Sequence, residues 1–120
     1  MKILFITSEC SPFSKSGGLA DVAYSLPPAL KKLGHDIDII SPYYKCVKDT
    51  YGDQIKKIKQ FNVTVGDHKE TFILYKGKLG QINAYFLGDD GLFDRPRLYG
   101  YDDDKYRFAF FSKACIDAIK

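Results

Sequence analysis

The stretch KSGGLADV at residues 15–22 lies between an apolar run and a helical pattern, and this order decides the fold. The run ILFI at residues 3–6 predicts a buried strand, and the apolar residues between positions 19 and 33 recur at helical spacing. A strand, a glycine turn carrying a lysine and then a helix is the arrangement by which α/β proteins hold phosphate. The stretch therefore predicts an anion-binding loop at the carboxyl end of the first strand.

Three residues of this loop carry the prediction. Gly17 and Gly18 permit a positive φ or a close approach of the backbone to a ligand, and the following helix directs its free N–H groups at an anion. Lys15 adds a compact positive charge. The spacing matches neither the dinucleotide-binding pattern GxGxxG nor the Walker phosphate loop, in which the lysine follows the glycines. A solvated lysine beside an ordinary turn therefore stays open on the residues alone.

The next segments extend the α/β pattern. The helix is expected to end before Gly34, with a kink or a break at Pro27-Pro28, and residues 36–41 form a second strand. A strand, a helix and a strand predict a right-handed βαβ unit. Residues 43–57 give no clear pattern, and alternation at residues 61–65 predicts a further strand.

The second half of the chain predicts a hairpin, a loop and a helix. Residues 71–75 and 82–87 flank the turn sequence GKLG at residues 77–80. A loop covers residues 88–100, and a helix begins near Asp103, with the acids at 102–104 capping it. The predicted fold class is α/β, a Rossmann-like three-layer partial domain with an inserted β-hairpin.

Composition excludes several classes of function. The net charge is +3, with lysines spread along the chain, so we expect no nucleic-acid partner. No apolar stretch approaches the length of a membrane span, so we expect no membrane partner. Three widely spaced cysteines without a CxxC pair predict reduced thiols, a cytoplasmic location and no zinc site. The acids at 89–90 and 102–104 are interpreted as turn and helix-start residues, so no metal is expected.

Three separated motifs resemble one known family. Residues 1–22, with Ser8-Glu9, Pro12 and KSGGLADV, closely resemble the start of bacterial glycogen synthases and plant starch synthases, whose usual loop is KTGGLADV. The second match is LFDRP at residues 92–96, followed by LYG at 98–100, and the third is the run of acids that leads into RFA at 107–109. The resemblance covers nearly the whole chain in register.

The resemblance implies a function and a domain organisation. Members of this family transfer glucose from ADP-glucose or UDP-glucose to the non-reducing end of an α-1,4-glucan, with retention of anomeric configuration. Their GT-B fold has two Rossmann-like domains that face a cleft, and they are several times longer than this chain. Residues 1–120 are therefore expected to be part of the N-terminal domain, without its remainder and without the C-terminal nucleotide-binding domain.

The resemblance also assigns site residues. Lys15 matches the lysine that contacts the donor diphosphate, and the Gly17-Gly18 loop matches the one that contacts the distal phosphate and the sugar. Asp21, Glu9 and Phe93 complete the expected substrate-binding set. No catalytic residue is expected within the chain, because the family's donor-side acid pair and catalytic-site histidine lie beyond residue 120. The expected partners are ADP-glucose, as a substrate rather than a cofactor, and α-1,4-glucan.

Structural alternatives stand beside these roles. Asp21 lies in the first helical turn, where a carboxylate is stabilised, or it pairs with Lys15. Glu9 binds sugar hydroxyls or simply orders the loop. Phe93 offers a ring face for stacking, while Asp94 and Arg95 are expected to pair with each other and fix their loop.

Two rival functions also remain at this stage. One is another GT-B glycosyltransferase, such as a sucrose-synthase-like enzyme. The other is a non-catalytic, flavodoxin-like module that binds a nucleotide or an anion. The downstream sequence and a donor screen distinguish the first rival from a glycogen or starch synthase. Stable folding and tight nucleotide binding by a chain of this length would favour the second rival.

Overall fold

The computed structural model describes residues 1–89 and 91–119, and within them one mixed five-stranded sheet is flanked by helices. Both faces of the sheet carry a helix of four turns, and a short helix and a 3₁₀ turn follow the second strand. In chain order the elements are β1 (Lys2–Ile6), α1 (Gly18–Lys32), β2 (Asp36–Pro42), α2 (Lys45–Tyr51), the 3₁₀ turn (Gly52–Gln54), β3 (Lys56–Val65), β4 (His68–Leu79), β5 (Ile82–Gly88) and α3 (Asp104–Ala118).

The sheet combines a parallel half and an antiparallel half. The strand order is β1-β2-β5-β4-β3, in which β1, β2 and β5 are parallel and β4 and β3 are antiparallel neighbours. The order confirms the predicted α/β class with an inserted hairpin. Parallel strands end at one edge of a sheet, so the segments that follow β1, β2 and β5 meet there.

The two long helices cover opposite faces of the sheet. Leu74 and Ala118 of α3 line one surface groove, whereas Leu79 and Pro28 of α1 line another. Both leucines belong to β4, and an odd sequence separation in a strand places side chains on opposite faces. No helix in residues 1–89 and 91–119 combines the length and apolarity needed to cross a membrane.

The tandem prolines do not break α1. The helix is continuous from Gly18 to Lys32, with Pro27 and Pro28 inside it, so the predicted break with a fresh start is wrong. A proline ring holds φ near the helical value, although it removes the N–H that would donate one turn back and crowds the carbonyl of residue i−4. Pro27 is buried, so its packing against the sheet favours the continuous helix.

The predicted hairpin exists, but its turn is shorter than the sequence indicates. Strand β4 runs through Gly77 to Leu79, and only Gly80-Gln81 connects it to β5. Gly77 pairs with Ala84, and a Cβ on this glycine would lie 3.1 Å from the Ile55 side chain. Gly77 is therefore a packing glycine, whereas Gly80, with φ +60°, makes the turn.

Candidate functional site

The KSGGLADV loop follows β1 at the carboxyl edge of the parallel half. The amide of Thr7 donates to the carbonyl of Ile40 at 3.0 Å, and the amide of Tyr43 donates to Leu87 at 2.8 Å. These bonds continue the sheet past the strand ends and bring three connecting segments side by side. This is the edge at which open α/β sheets bind ligands.

The first half of the loop is fixed by its own buried residues. The Phe13 ring is buried and lies 5.0 Å from the Phe86 ring and 5.0 Å from the Tyr51 ring. The amide of Ser14 donates to the carbonyl of Cys10 at 2.9 Å. Burial raises the pKa of the Cys10 thiol to about 11, so this thiol stays protonated and acts as a small buried hydrophobe.

Glu9 holds the second half of the loop from inside. Its side chain is 3% exposed, and Oε2 accepts hydrogen bonds from the Ser16 amide at 2.7 Å and from Ser16 Oγ at 2.8 Å. Bonds to a carboxylate are stronger than neutral ones. Glu9 therefore orders the segment immediately before the two glycines, which is the structural role left open by the sequence.

Lys15 and Asp21 form an ion pair at the outer surface of the loop. Lys15 Nζ lies 2.9 and 3.0 Å from the two carboxylate oxygens of Asp21, and the side chains are 55% and 59% exposed. An ion pair this exposed contributes little stability. Lys15 can therefore exchange Asp21 for an anionic ligand at small cost.

The two glycines leave open space at the start of α1. Gly17 is the N-cap, with φ −166° and ψ −157°, and neither Gly17 nor Gly18 has a positive φ. A Cβ added at either glycine has no atom within 4 Å. The positive-φ alternative is therefore wrong, and the room for close approach remains. Gly17 has no side chain to cap the helix, so α1 begins without a side-chain capping bond, while the Ala20 amide donates to the Gly17 carbonyl at 3.3 Å.

Arg95 and Asp94 pair with distant residues rather than with each other, which corrects the expected ion pair. Arg95 lies 2.7 and 2.8 Å from the carboxylate oxygens of Asp103 and also donates to the carbonyl of Gly91. Asp94 receives a bond from Lys48 at 3.2 Å. The hydrogen bond from Arg95 lowers the pKa of Asp103. As N-cap of α3, Asp103 makes no side-chain capping bond, so the predicted capping is wrong, whereas Asp104 lies in the first turn, where the helix dipole favours a carboxylate.

Phe93 is a core residue and not a ligand platform. Its side chain is 0% exposed, and its ring packs edge-on against Tyr44, Phe108 and Phe111 at 5.7–6.1 Å. A ring enclosed by three other rings offers no free face for stacking on a substrate. The prediction of Phe93 as a binding residue is therefore corrected by its burial under α3.

Arg107 is the residue that sequence reasoning missed. It is 0% exposed, its Nε donates to the Leu92 carbonyl at 2.6 Å, and its Nη1 donates to Leu98 at 3.0 Å and to Asp104 at 2.8 Å. The guanidinium also lies 5.0 Å from the centre of the Phe93 ring. One buried cation thus ties both ends of the loop over residues 92–98 to α3. The signal in the sequence is a single arginine within an otherwise apolar helical face.

We expect Arg107→Leu to lower the free energy of unfolding by about 3–5 kcal/mol, because it leaves the buried Leu92 carbonyl and the half-buried Leu98 carbonyl without their donor and removes the ion pair to Asp104. Arg97→Leu is the matched control. Arg97 is exposed, its guanidinium stacks on Tyr101 at 4.6 Å, and its loss should cost less than about 1 kcal/mol. Urea unfolding of both variants measures the difference. Equal losses would contradict the role of Arg107 as the anchor of the loop.

Metal ligation has no support in the described part of the chain. Among residues 1–89 and 91–119, no three His, Cys, Asp or Glu side chains converge on a point that could hold a metal ion. The acids at 102–104 lie at the start of α3, where Asp104 accepts bonds from the Gly100 and Tyr101 amides. Asp90, which the sequence groups with Asp89, lies outside the described residues.

Comparison with known proteins gives matches over the whole chain. Residues 2–120 match the family described as the starch synthase catalytic domain. The glycogen synthase of Caldicellulosiruptor bescii is 46% identical over 119 residues, which are 99% of this chain and 25% of that protein. The glycogen synthase of Streptococcus pneumoniae strain Hungary19A-6 is 42% identical over 120 residues, which are 100% of this chain and 25% of that protein.

A solved structure gives the same result for the fold. The catalytic domain of starch synthase IV from Arabidopsis thaliana, bound to ADP and acarbose, superposes with a TM-score of 0.86 at 28% identity. The match covers 97% of this chain and 24% of that one. The chain thus spans about a quarter of the length of the relatives that it matches.

Proposed function

This chain belongs to the starch synthase catalytic domain family, and we propose that it is the first part of the N-terminal domain of a glycogen synthase. The proposed enzyme transfers glucose from ADP-glucose to the non-reducing end of an α-1,4-glucan with retention of configuration. The remainder of the N-terminal domain and a C-terminal nucleotide-binding domain complete it. The observation that carries the proposal is the start of α1, which has no side-chain cap and lies beside Lys15. It lies at the carboxyl edge of the parallel strands, in a chain that matches this family.

The loop supplies binding and charge stabilisation in this proposal. The donor phosphate occupies the open space over Gly17 and Gly18, where the helix start and the first-turn N–H groups favour an anion. Lys15 turns from Asp21 to a phosphate oxygen, and its charge stabilises the ADP leaving group as negative charge develops. Asp21, once released, is free to accept a hydroxyl of the donor.

The proposed partners follow from the same site. ADP-glucose and α-1,4-glucan are the two substrates, and the Arabidopsis relative bound to ADP and acarbose supports both classes of ligand. We propose a cytoplasmic enzyme that uses no metal or cofactor for this step. Catalytic groups are proposed to lie outside these residues, so this chain forms one wall of the cleft.

A donor screen on the intact protein tests the proposal. The native mass is measured first, and we expect a chain several times longer than these residues. ADP-glucose, UDP-glucose and other sugar nucleotides are then supplied with glycogen, and glucose transfer is followed. Transfer from ADP-glucose with retention supports the proposal. Transfer of another sugar, or to fructose instead of glucan, would favour a different GT-B enzyme.

Residues 1–120 on their own are expected to bind ADP-glucose only at millimolar concentration or more weakly and to transfer no glucose. One wall of the proposed cleft offers only a lysine and a few N–H groups to the ligand. In an open site, water and salt screen these charges, and binding has to offset the whole entropy cost of ordering the ligand. Titration calorimetry and a transfer assay measure both properties. Micromolar binding without transfer would instead indicate a self-contained nucleotide-binding module.

A further inference from the structure

Ser8 is the point at which three connecting segments meet. Its side-chain oxygen lies 2.7 Å from the Tyr99 hydroxyl, and its carbonyl accepts a hydrogen bond from the Tyr44 hydroxyl at 2.6 Å. Tyr44 precedes α2 and Tyr99 precedes α3, so the two phenols reach Ser8 from different loops. Burial raises the pKa of both phenols, and both therefore remain protonated hydrogen-bonding groups at neutral pH.

Tyr99 is itself held in a fixed position. Its ring packs against Phe108 of α3 at 5.8 Å. The residue before it, Leu98, has its carbonyl bound by the buried Arg107 guanidinium at 3.0 Å. Contacts with two residues of α3 therefore hold the Tyr99 ring and the backbone just before it in place.

Ser8 passes this restraint to the glycine loop through its neighbour in sequence. Glu9 follows Ser8 directly and holds Ser16 by two bonds of 2.7 and 2.8 Å, and Ser16 precedes the two glycines. The backbone of Glu9 is fixed as well, because Thr7 Oγ1 donates to its carbonyl at 2.7 Å. The path from Tyr99 to Gly17 thus consists of short bonds between buried or half-buried groups.

We infer that Tyr99 is a positioning residue for donor binding, because its hydroxyl fixes Ser8 and, through Glu9 and Ser16, the glycine loop. The inference rests on the proposed function and deepens it. Tyr99 touches no substrate in this account. A phenylalanine at this position keeps the ring packing and removes only the hydroxyl, which lies 2.7 Å from Ser8 Oγ and also interacts with the side chains of Glu9 and Tyr44.

Tyr99→Phe in the full-length synthase tests the inference. We expect the KM for ADP-glucose to rise about three- to tenfold, the range that a lost neutral hydrogen bond gives, while the KM for glycogen stays unchanged. Hydrogen exchange of a peptide over residues 14–18 should become faster by a similar factor. This second readout is independent of turnover.

Tyr106→Phe is the matched control. Tyr106 is also half-buried and uses its hydroxyl in one hydrogen bond, to Glu70 at 3.2 Å, but it has no link to the glycine loop.

Ser8→Ala removes the same hydrogen bond by deleting the Ser8 hydroxyl, and Ser8→Thr, which keeps the hydroxyl, should behave like the parent. The double variant Ser8→Ala with Tyr99→Phe should be no worse than either single variant.

The outcomes separate the two proposals. If the parent protein transfers no glucose from ADP-glucose, the proposed function falls, and faster exchange in Tyr99→Phe still supports the restraint on the loop. If the parent is active but Tyr99→Phe matches Tyr106→Phe in donor KM and in exchange, the inference is overturned and the function stands. Additive losses in the double variant would also overturn it.

Discussion

Lys15→Ala in the full-length synthase is expected to lower kcat/KM for ADP-glucose about ten- to a hundredfold. In the proposed function Lys15 makes a charge-assisted bond to the donor phosphate, and the loss of such a bond costs about 1.5–3 kcal/mol. The variant also removes the positive charge that offsets the Asp21 carboxylate near the donor phosphate, which adds repulsion. Steady-state kinetics with ADP-glucose measure the loss, and unchanged kcat/KM would remove Lys15 from the site.

Lys45→Ala is the matched control for Lys15→Ala. Lys45 is also exposed, and it is paired with Asp49 at 2.7 Å, much as Lys15 is paired with Asp21. Its loss should leave kcat/KM within about twofold of the parent, because a surface pair contributes little. A second arm adds Asp21→Asn to Lys15→Ala. Full recovery of activity would show that Lys15 only neutralises Asp21 and does not contact the donor.

Gly18→Val is expected to reduce activity by at least about a hundredfold while the protein stays folded. The added side chain fills the open space over the helix start and displaces the donor from its reacting geometry. The backbone at Gly18 has no positive φ, so the free energy of unfolding should change by less than about 1 kcal/mol. Thermal melting and kcat/KM on the same sample check both values.

Gly34→Val provides the opposite pattern. Gly34 follows α1 with φ +96°, a conformation that a β-branched residue resists, so stability should fall by about 1–3 kcal/mol. The folded molecules of that variant should have the same kcat/KM as the parent, because Gly34 lies at the other end of α1. If Gly18→Val melts as early as Gly34→Val and its activity tracks its folded fraction, the glycine is structural.

The parallel half of the fold was predictable because its signals are local. The run at residues 3–6, the helical spacing after Gly18 and the strand before Pro42 each depend on neighbours in sequence. The position of the glycine loop then follows from topology. Its substrate-binding role remains a prediction, since the structure supplies the geometry and not the ligand.

The misplaced predictions concern side chains whose partners are far away in sequence. Asp94 and Arg95 are adjacent, yet they point to Lys48 and Asp103, so proximity in sequence misled the pairing. Phe93 was assigned to the substrate-binding set from its motif, and its burial was missed because the rings that enclose it belong to α3 and to Tyr44. Arg107 was noted only as part of the RFA motif, and its anchoring role was missed because an arginine is ordinarily solvated and two of its acceptors, the carbonyls of Leu92 and Leu98, come from the assembled loop.

The mixed sheet has a consequence for the order in which the molecule assembles. Strands β3, β4 and β5 are joined by two-residue connections, so their pairing closes short loops, whereas β1–β2 and β2–β5 pairings require long ones. Contacts between nearby residues form faster because less chain entropy is lost. The antiparallel meander should therefore nucleate folding and template the parallel strands. The glycine loop follows β1, which is expected to be the last strand to pair, so we expect this loop to become ordered last during folding and to be released first on unfolding.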